Sequence, residues 1–180
     1  MTTKLVPVLL GVALVVTAVP PAARAVDAEL RRDASAALQQ LCNKNSTAAM
    51  LRKKAKGILV FPDMLKAGFL FGGQIGNGVL FKGGSAVGQY NSVAASYGLQ
   101  AGGQRFGYAL FFMSNDALKY LDQSGGWEVG VGPSIVVVDE GMGKSITSTT
   151  LTNDVYAFIF NQKGLMGGMG IQGSKITKTD

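Results

Sequence analysis

Ile58-Leu-Val-Phe-Pro62, Ala67-Gly-Phe-Leu-Phe-Gly-Gly73 and Ile75-Gly-Asn-Gly-Val-Leu-Phe-Lys82 follow one another almost without interruption. Each is an apolar run of strand length, and each is punctuated by glycine, so the three read as successive strands. The pattern continues downstream over 87–91, 93–104 and 106–113, then over 127–131, 134–138, 146–151, 155–160 and 165–176. Glycines recur two residues apart, as at Gly76/Gly78, Gly130/Gly132 and Gly168/Gly170. Because alternate residues of a strand share a face, this spacing leaves bare backbone on one side, where the strand can bend sharply or another backbone can approach. The runs therefore predict a strongly curved or partly closed antiparallel sheet.

Helical periodicity appears before the first run and once within the series. Leu30, Ala34, Ala37, Leu38 and Leu41 fall on one face of a helix over 27–42, with Arg31, Arg32, Gln39 and Gln40 off that face. Asn45, Ser46 and Thr47 offer an N-cap for a second helix over 47–56, which Gly57 can end. Ala48, Leu51 and Ala55 share its apolar side, and its polar side carries Arg52, Lys53, Lys54 and Lys56. A short inserted helix is predicted after Ser114, with Ala117, Leu118 and Leu121 as its stripe and Ser124-Gly-Gly126 as its stop. The fold class expected is α+β: a mainly curved antiparallel sheet or partly closed barrel, with helices at its N-terminal end and one short inserted helix.

The first 25 residues read as a secretory signal peptide: Lys4, the apolar run Leu5 to Val19, and Ala23-Arg-Ala25 before a cleavage point at Val26. The apolar run is shorter than the roughly 20 residues that span a bilayer. Residues 26–180 then form one domain, exported to the periplasm or beyond, peripheral to a membrane. The 25 glycines lack a Gly-X-Y period and sit among Val, Ile, Leu and Phe, which argues for a packed protein over collagen or disorder.

Charge and residue chemistry narrow the function. The chain has no histidine and a single cysteine, Cys42, so an internal disulfide, ordinary zinc, copper or haem ligand sets, and histidine-based catalysis are all excluded. No cofactor, no metal site and no enzymatic activity are expected. Removing Lys4 and Arg24 with the signal lowers the net charge from +6 to +4. The stretch from Lys44 to Lys66, with Lys44, Arg52, Lys53, Lys54, Lys56 and Lys66 against Asp63, carries +5 by itself. A localised basic patch attracts polyanions, of which membranes and nucleic acids are the usual ones. Nucleic acid is disfavoured, because no aromatic residue is interleaved with Arg52 to Lys56 and because the chain is read as exported.

Several ordered blocks resemble one known family, the SYLF domain. They are Lys54-Ala-Lys-Gly-Ile-Leu-Val-Phe-Pro62, Lys66-Ala-Gly-Phe69, Gly72-Gly-Gln74, Tyr97-Gly-Leu-Gln-Ala-Gly-Gly-Gln104 and Leu110-Phe-Phe-Met113, then Trp127-Glu-Val-Gly-Val-Gly-Pro133, Val136-Val-Val-Asp-Glu-Gly141, Tyr156-Ala-Phe158 and Gly173-Ser-Lys-Ile176. The resemblance runs from about Ala28 to the C-terminus. It implies a β-rich, phospholipid-binding module with N-terminal helices. Its eukaryotic members bind phosphoinositides, and yeast-type members bind actin filaments, with basic residues near the domain's N-terminus implicated. For an exported protein the lipid part is the one that transfers, to phosphatidylglycerol or cardiolipin, and actin is an analogy only.

The lipid-binding residues expected are therefore Arg52, Lys53, Lys54 and Lys56, assisted by Lys44 and Lys66. Lysine and arginine stems can lie along the interface with their charges among the headgroups. Other candidates read as structural. Gly72 to Gly78 lacks the Gly-Lys-Ser/Thr ending of a phosphate loop and is read as a hairpin. Asp139-Glu140 is read as a turn start before Gly141, and Trp127, Phe111 and Phe112 as core, with a headgroup-boundary position kept open for the tryptophan. The alternatives of another class are a small outer-membrane β-barrel, for which about eight strands would suffice, and a structural or protein-interaction module of the cell envelope.

Overall fold

A computed structural model of the chain describes residues 26–138, 151–164 and 173–179. Residues 1–25, read as a signal peptide, Asp139-Glu140, the strand read at 146–151 except its last residue, and most of the run at 165–176 lie outside the described residues. The elements are α1 (Ala28–Lys44), α2 (Ser46–Arg52), β1 (Gly57–Lys82), β2 (Ser85–Phe112), α3 (Asn115–Lys119) followed by a 3-10 turn at Tyr120–Asp122, β3 (Trp127–Glu128), β4 (Ile135–Val137), β5 (Val155–Gly164) and β6 (Lys175–Lys178).

Each α-helix begins where a side chain satisfies its free backbone N–H groups. Asp27 Oδ1 accepts from the Leu30 N–H at 2.9 Å, Asn45 Oδ1 from Ala48 at 2.9 Å, and Ser114 Oγ from Ala117 at 3.1 Å. The second helix is shorter than its pattern predicts. It ends at Arg52, and Lys53 to Ala55 form a turn whose N–H groups reach back to Met50 and Leu51 carbonyls. Only Arg52 of the basic quartet is helical; Lys53, Lys54 and Lys56 line the path into β1.

The six strand-length runs before α3 are two strands. β1 and β2 pair antiparallel from Gly57↔Phe112 to Lys82↔Ser85, with irregularities at Phe61/Met64, Phe69/Phe71 and Leu80/Phe81. Pro62 falls at the first irregularity, where its missing N–H costs no ladder bond. The hairpin turn is Gly83-Gly84, with φ of 57° and 85°, the two-residue turn whose twist suits paired strands. The hairpin expected at Gly72 to Gly78 is thus corrected: that segment lies within β1.

The ribbon is folded over on itself. A Cβ at residue 78 would stand 2.6 Å from Phe61 Cδ1, one at residue 76 would collide with Met64, and one at residue 68 would collide with Gly72. The paired glycines therefore mark close approach between the two arms of β1, as their spacing predicts. Around this bent ribbon the sheet has the order β3-β6-β2-β5-β4, with β1 also on β2. β2 serves both halves: Tyr90 to Val93 pair with β6, and Gln104 to Phe112 with β5. One pair, β4 on β5, is parallel. The product is an α+β half-barrel.

Two apolar cores share its strands. Inside the curl lie Leu59, Phe61, Met64, Leu80, Tyr90, Phe106, Tyr108, Leu110 and Phe112, joined by Leu118, Leu121 and Trp127. On the outer face Ile58, Val60, Val79, Phe81, Ala109, Phe111 and Phe158 pack beneath Ala34, Leu38, Leu41, Ala48 and Leu51 of the helices. Trp127 is 1% exposed, and its Nε1–H donates to the Val131 carbonyl at 2.9 Å, which makes it a core residue and removes the headgroup-boundary reading. Phe111 and Phe112 are likewise fully buried.

Candidate functional site

The bend that folds the ribbon brings its turn back to its open end. Gly83 and Gly84 stand beside Gly57 and Ile58, under the helices. Two adjoining depressions open there. One, of about 600 Å³, runs between α1 and the start of β2 and is bordered by Arg31, Arg32, Gln39 and Ser85. The other, of about 250 Å³, is bordered by Leu38, Arg52, Lys53 and Ala55. Ser35, Phe81 and Gly84 belong to both, so they form one cleft.

Local geometry explains why cations collect there. In α1, Arg31, Arg32, Ser35, Ala36 and Gln39 lie on the side away from Ala34, Ala37, Leu38 and Leu41, which pack on the sheet. α2 runs back along α1, and its last residue, Arg52, lies against Cys42. Burial pushes the Cys42 thiol above its ordinary value, and the neighbouring Arg52 partly offsets that. The Lys56 N–H donates to the Phe112 carbonyl at 2.8 Å, which ties the basic turn to the end of β2. Opposite, a side chain at Gly83 or Gly84 would meet nothing within 4 Å, so the turn presents open backbone to the cleft. Among the described residues none that borders it is acidic; Glu29 and Asp33 are on α1 but outside the lining.

The expected residues are thus partly brought together. Arg52 and Lys53 border the cleft and are exposed. Lys54 and Lys56 are exposed on the same turn without bordering it. Lys44 is exposed at the far end of α1, about 20 Å along the helix from Arg31 at 1.5 Å per residue. Lys66 departs from expectation. It is 7% exposed, on the inward face of β1, and does not join the exposed cationic surface. Arg31 and Arg32 are the residues that the charge pattern missed, because the basic window was drawn from Lys44. Their position off the apolar face of α1 was the available signal. Among the described residues no group of histidine, cysteine, aspartate and glutamate could hold a metal ion.

The family profile described as "Las17-binding protein actin regulator", Ysc84, matches residues 93–180. Protein YSC84 of Saccharomyces cerevisiae is 30% identical over 131 residues. The chain belongs to the SYLF (Ysc84) family. The aligned stretch is 69% of this chain and 28% of the yeast protein, so a SYLF domain is what the two have in common. Within the profile match fall the C-terminal part of β2, α3 and β3 to β6. The cleft is built chiefly from residues N-terminal to it, at 31–57 and 81–86. The family is one of binding and regulatory domains, related to lipid and to actin regulators.

Proposed function

We propose that this chain is an exported, non-enzymatic lipid-binding protein that associates with anionic phospholipid surfaces through the basic cleft and the turn beside it. The observation behind the reading is the convergence of Arg31, Arg32, Arg52 and Lys53 from α1, α2 and its turn on one open cleft, with no acid among the described residues that border it. Lys54 and Lys56 add exposed charge alongside, and Lys44 extends it along α1. Each such cation near an anionic surface contributes about 1 kcal/mol. Phosphatidylglycerol and cardiolipin are the anions an exported protein meets. An outer-membrane barrel is disfavoured, because the interior of the curl is packed with aromatic and aliphatic side chains and the part of the outer face formed by Ile58, Val60, Val79, Ala109 and Phe111 is covered by helices.

Co-sedimentation of the chain from Val26 with phosphatidylglycerol and with neutral liposomes tests the proposal. Binding is expected to the anionic vesicles alone and to weaken with salt. Changing Arg52, Lys53, Lys54 and Lys56 together to Gln should lower the apparent affinity by on the order of 100-fold or more. Equal binding to both vesicle types, or an unaffected quadruple variant, would refute the basic site. A second reading, contact with an envelope protein, has one observation behind it: Ile75 and its cross-strand partner Val93 are 52% and 46% exposed on the outer side of the ribbon. Absence of binding to any vesicle would favour that reading.

A further inference from the structure

The smaller lobe of the cleft is a place where the outer core is left open. Leu38, Ile58 and Phe81 are buried members of that core, and the atoms they leave uncovered line the lobe together with Ala55. The gap has a cause in the sequence. The turn on one side of the lobe is Gly83-Gly84, and glycine has no side chain to lay over Phe81; a Cβ at either position would meet nothing within 4 Å. On the other side the wall is α1, where the exposed Ser35 is the small residue at the junction with the larger lobe.

The lobe therefore has an apolar floor and a cationic rim. Arg52 and Lys53 stand at its edge, Arg31 and Arg32 border the adjoining lobe, and none of the four is in an ion pair with a described acid. The thiol of Cys42 beside Arg52 is held protonated by burial and does not neutralise it. Space is available. The volume of about 250 Å³ exceeds the roughly 150 Å³ of an apolar cavity that holds benzene, so about eight chain carbons fit. A concave site that is apolar at the bottom and positive at the rim complements a molecule with one hydrocarbon end and one anionic end. A flat basic surface would need only the second.

We propose that the cleft holds a single anionic lipid, with its phosphate head among Arg31, Arg32, Arg52 and Lys53 and part of one acyl chain in the lobe over Leu38, Ile58 and Phe81. The proposal rests on the lipid reading above and deepens it. Attraction to a bilayer through charge is indifferent to the chain, whereas occupation of the lobe depends on it.

Calorimetric titration of the full chain with butyl, hexyl, octyl and decyl phosphate, each below its micelle-forming concentration, tests it. Affinity is expected to rise by up to about 15-fold for each two methylenes and to level off near about eight carbons, where the lobe is full. Octyl glucoside, which has the chain without the charge, should bind at least about 10-fold more weakly than octyl phosphate. Ser35→Phe sets a ring at the mouth of the lobe from an exposed position of α1 and should flatten the dependence on chain length. Arg52→Gln with Lys53→Gln should weaken every alkyl phosphate by a similar factor and keep that dependence. Any uptake by the apolar run Leu5 to Val19 is common to the parent and both variants. Affinity that is independent of chain length, or a Ser35→Phe chain with the parent's dependence, would overturn the lobe as a lipid site. Vesicle binding that persists in that case leaves the surface reading standing, and loss of both removes the two together.

Discussion

Tyr108 shows how one side chain can be held by packing while its polar atom is not. Its ring stacks on Phe61 with centroids 5.4 Å apart and planes 11° from parallel, and its hydroxyl has no hydrogen-bond partner. Burial alone pushes its pKa far above the ordinary 10.0. The folded state therefore keeps this proton where the unfolded state loses it. Below pH 10 the group adds no pH dependence; above it, stability falls by about 1.4 kcal/mol per pH unit from this group. Tyr108→Phe should remove that part of the alkaline slope. At pH 8 it should be neutral or stabilising by up to about 1 kcal/mol, since an unpaired hydroxyl is lost and the stack kept. Urea midpoints between pH 8 and 11 decide it: parallel profiles for parent and variant would show that the hydroxyl is solvated or paired. Lys66 is the complementary case. Its charge was legible in the sequence, but its burial was not, because strand parity around Pro62-Asp63 depends on a bulge that moves every later side chain to a different face.

At the level of elements, what was legible is what is local. Asp27, Asn45 and Ser114 cap helices within three residues of themselves; the caps at Asn45 and Ser114 were among those the sequence offered, while the first helix followed from its apolar period alone. The β1–β2 ribbon was read in pieces because glycine can end a strand or bend it, and which of the two occurs is decided by what lies across the fold. At Gly78 the answer is Phe61, from the other arm of the same strand. Gly78→Ala should therefore act as overpacking, since its Cβ would also meet the Val60 carbonyl at 2.8 Å, and cost about 1–3 kcal/mol. Gly83→Ala meets nothing and should cost about 1–2 kcal/mol, the conformational penalty at a φ of 57°. The two differ in kind. A Phe61→Leu background should relieve the first and leave the second unchanged, as measured by a double-mutant cycle in urea; equal costs in both backgrounds would mean that the arms of β1 do not touch there.

For the whole molecule, the cleft and the fold have one cause. The turn Gly83-Gly84 reaches α1 only because the ribbon is bent double, so the cations of α1 and of the Arg52–Lys53 corner converge on a feature that no linear charge count reveals. The bend is fixed by two cores that use opposite sides of the same residues: Leu59 and Phe61 face inward, Ile58 and Val60 face the helices. Neither core can be lost while the other keeps its strands. Unfolding is therefore expected to be a single transition, and the molecule carries a reporter for each side. Trp127, the sole tryptophan, packs on Phe112 within the inner core with ring centroids 5.8 Å apart, while α1 and α2 cover the outer one. Tryptophan fluorescence and helical circular dichroism should give coincident midpoints in heat and in urea. Loss of the helical signal ahead of the fluorescence would mean that the helices detach from an intact curl, and that the cleft is formed and lost by a docking step of its own.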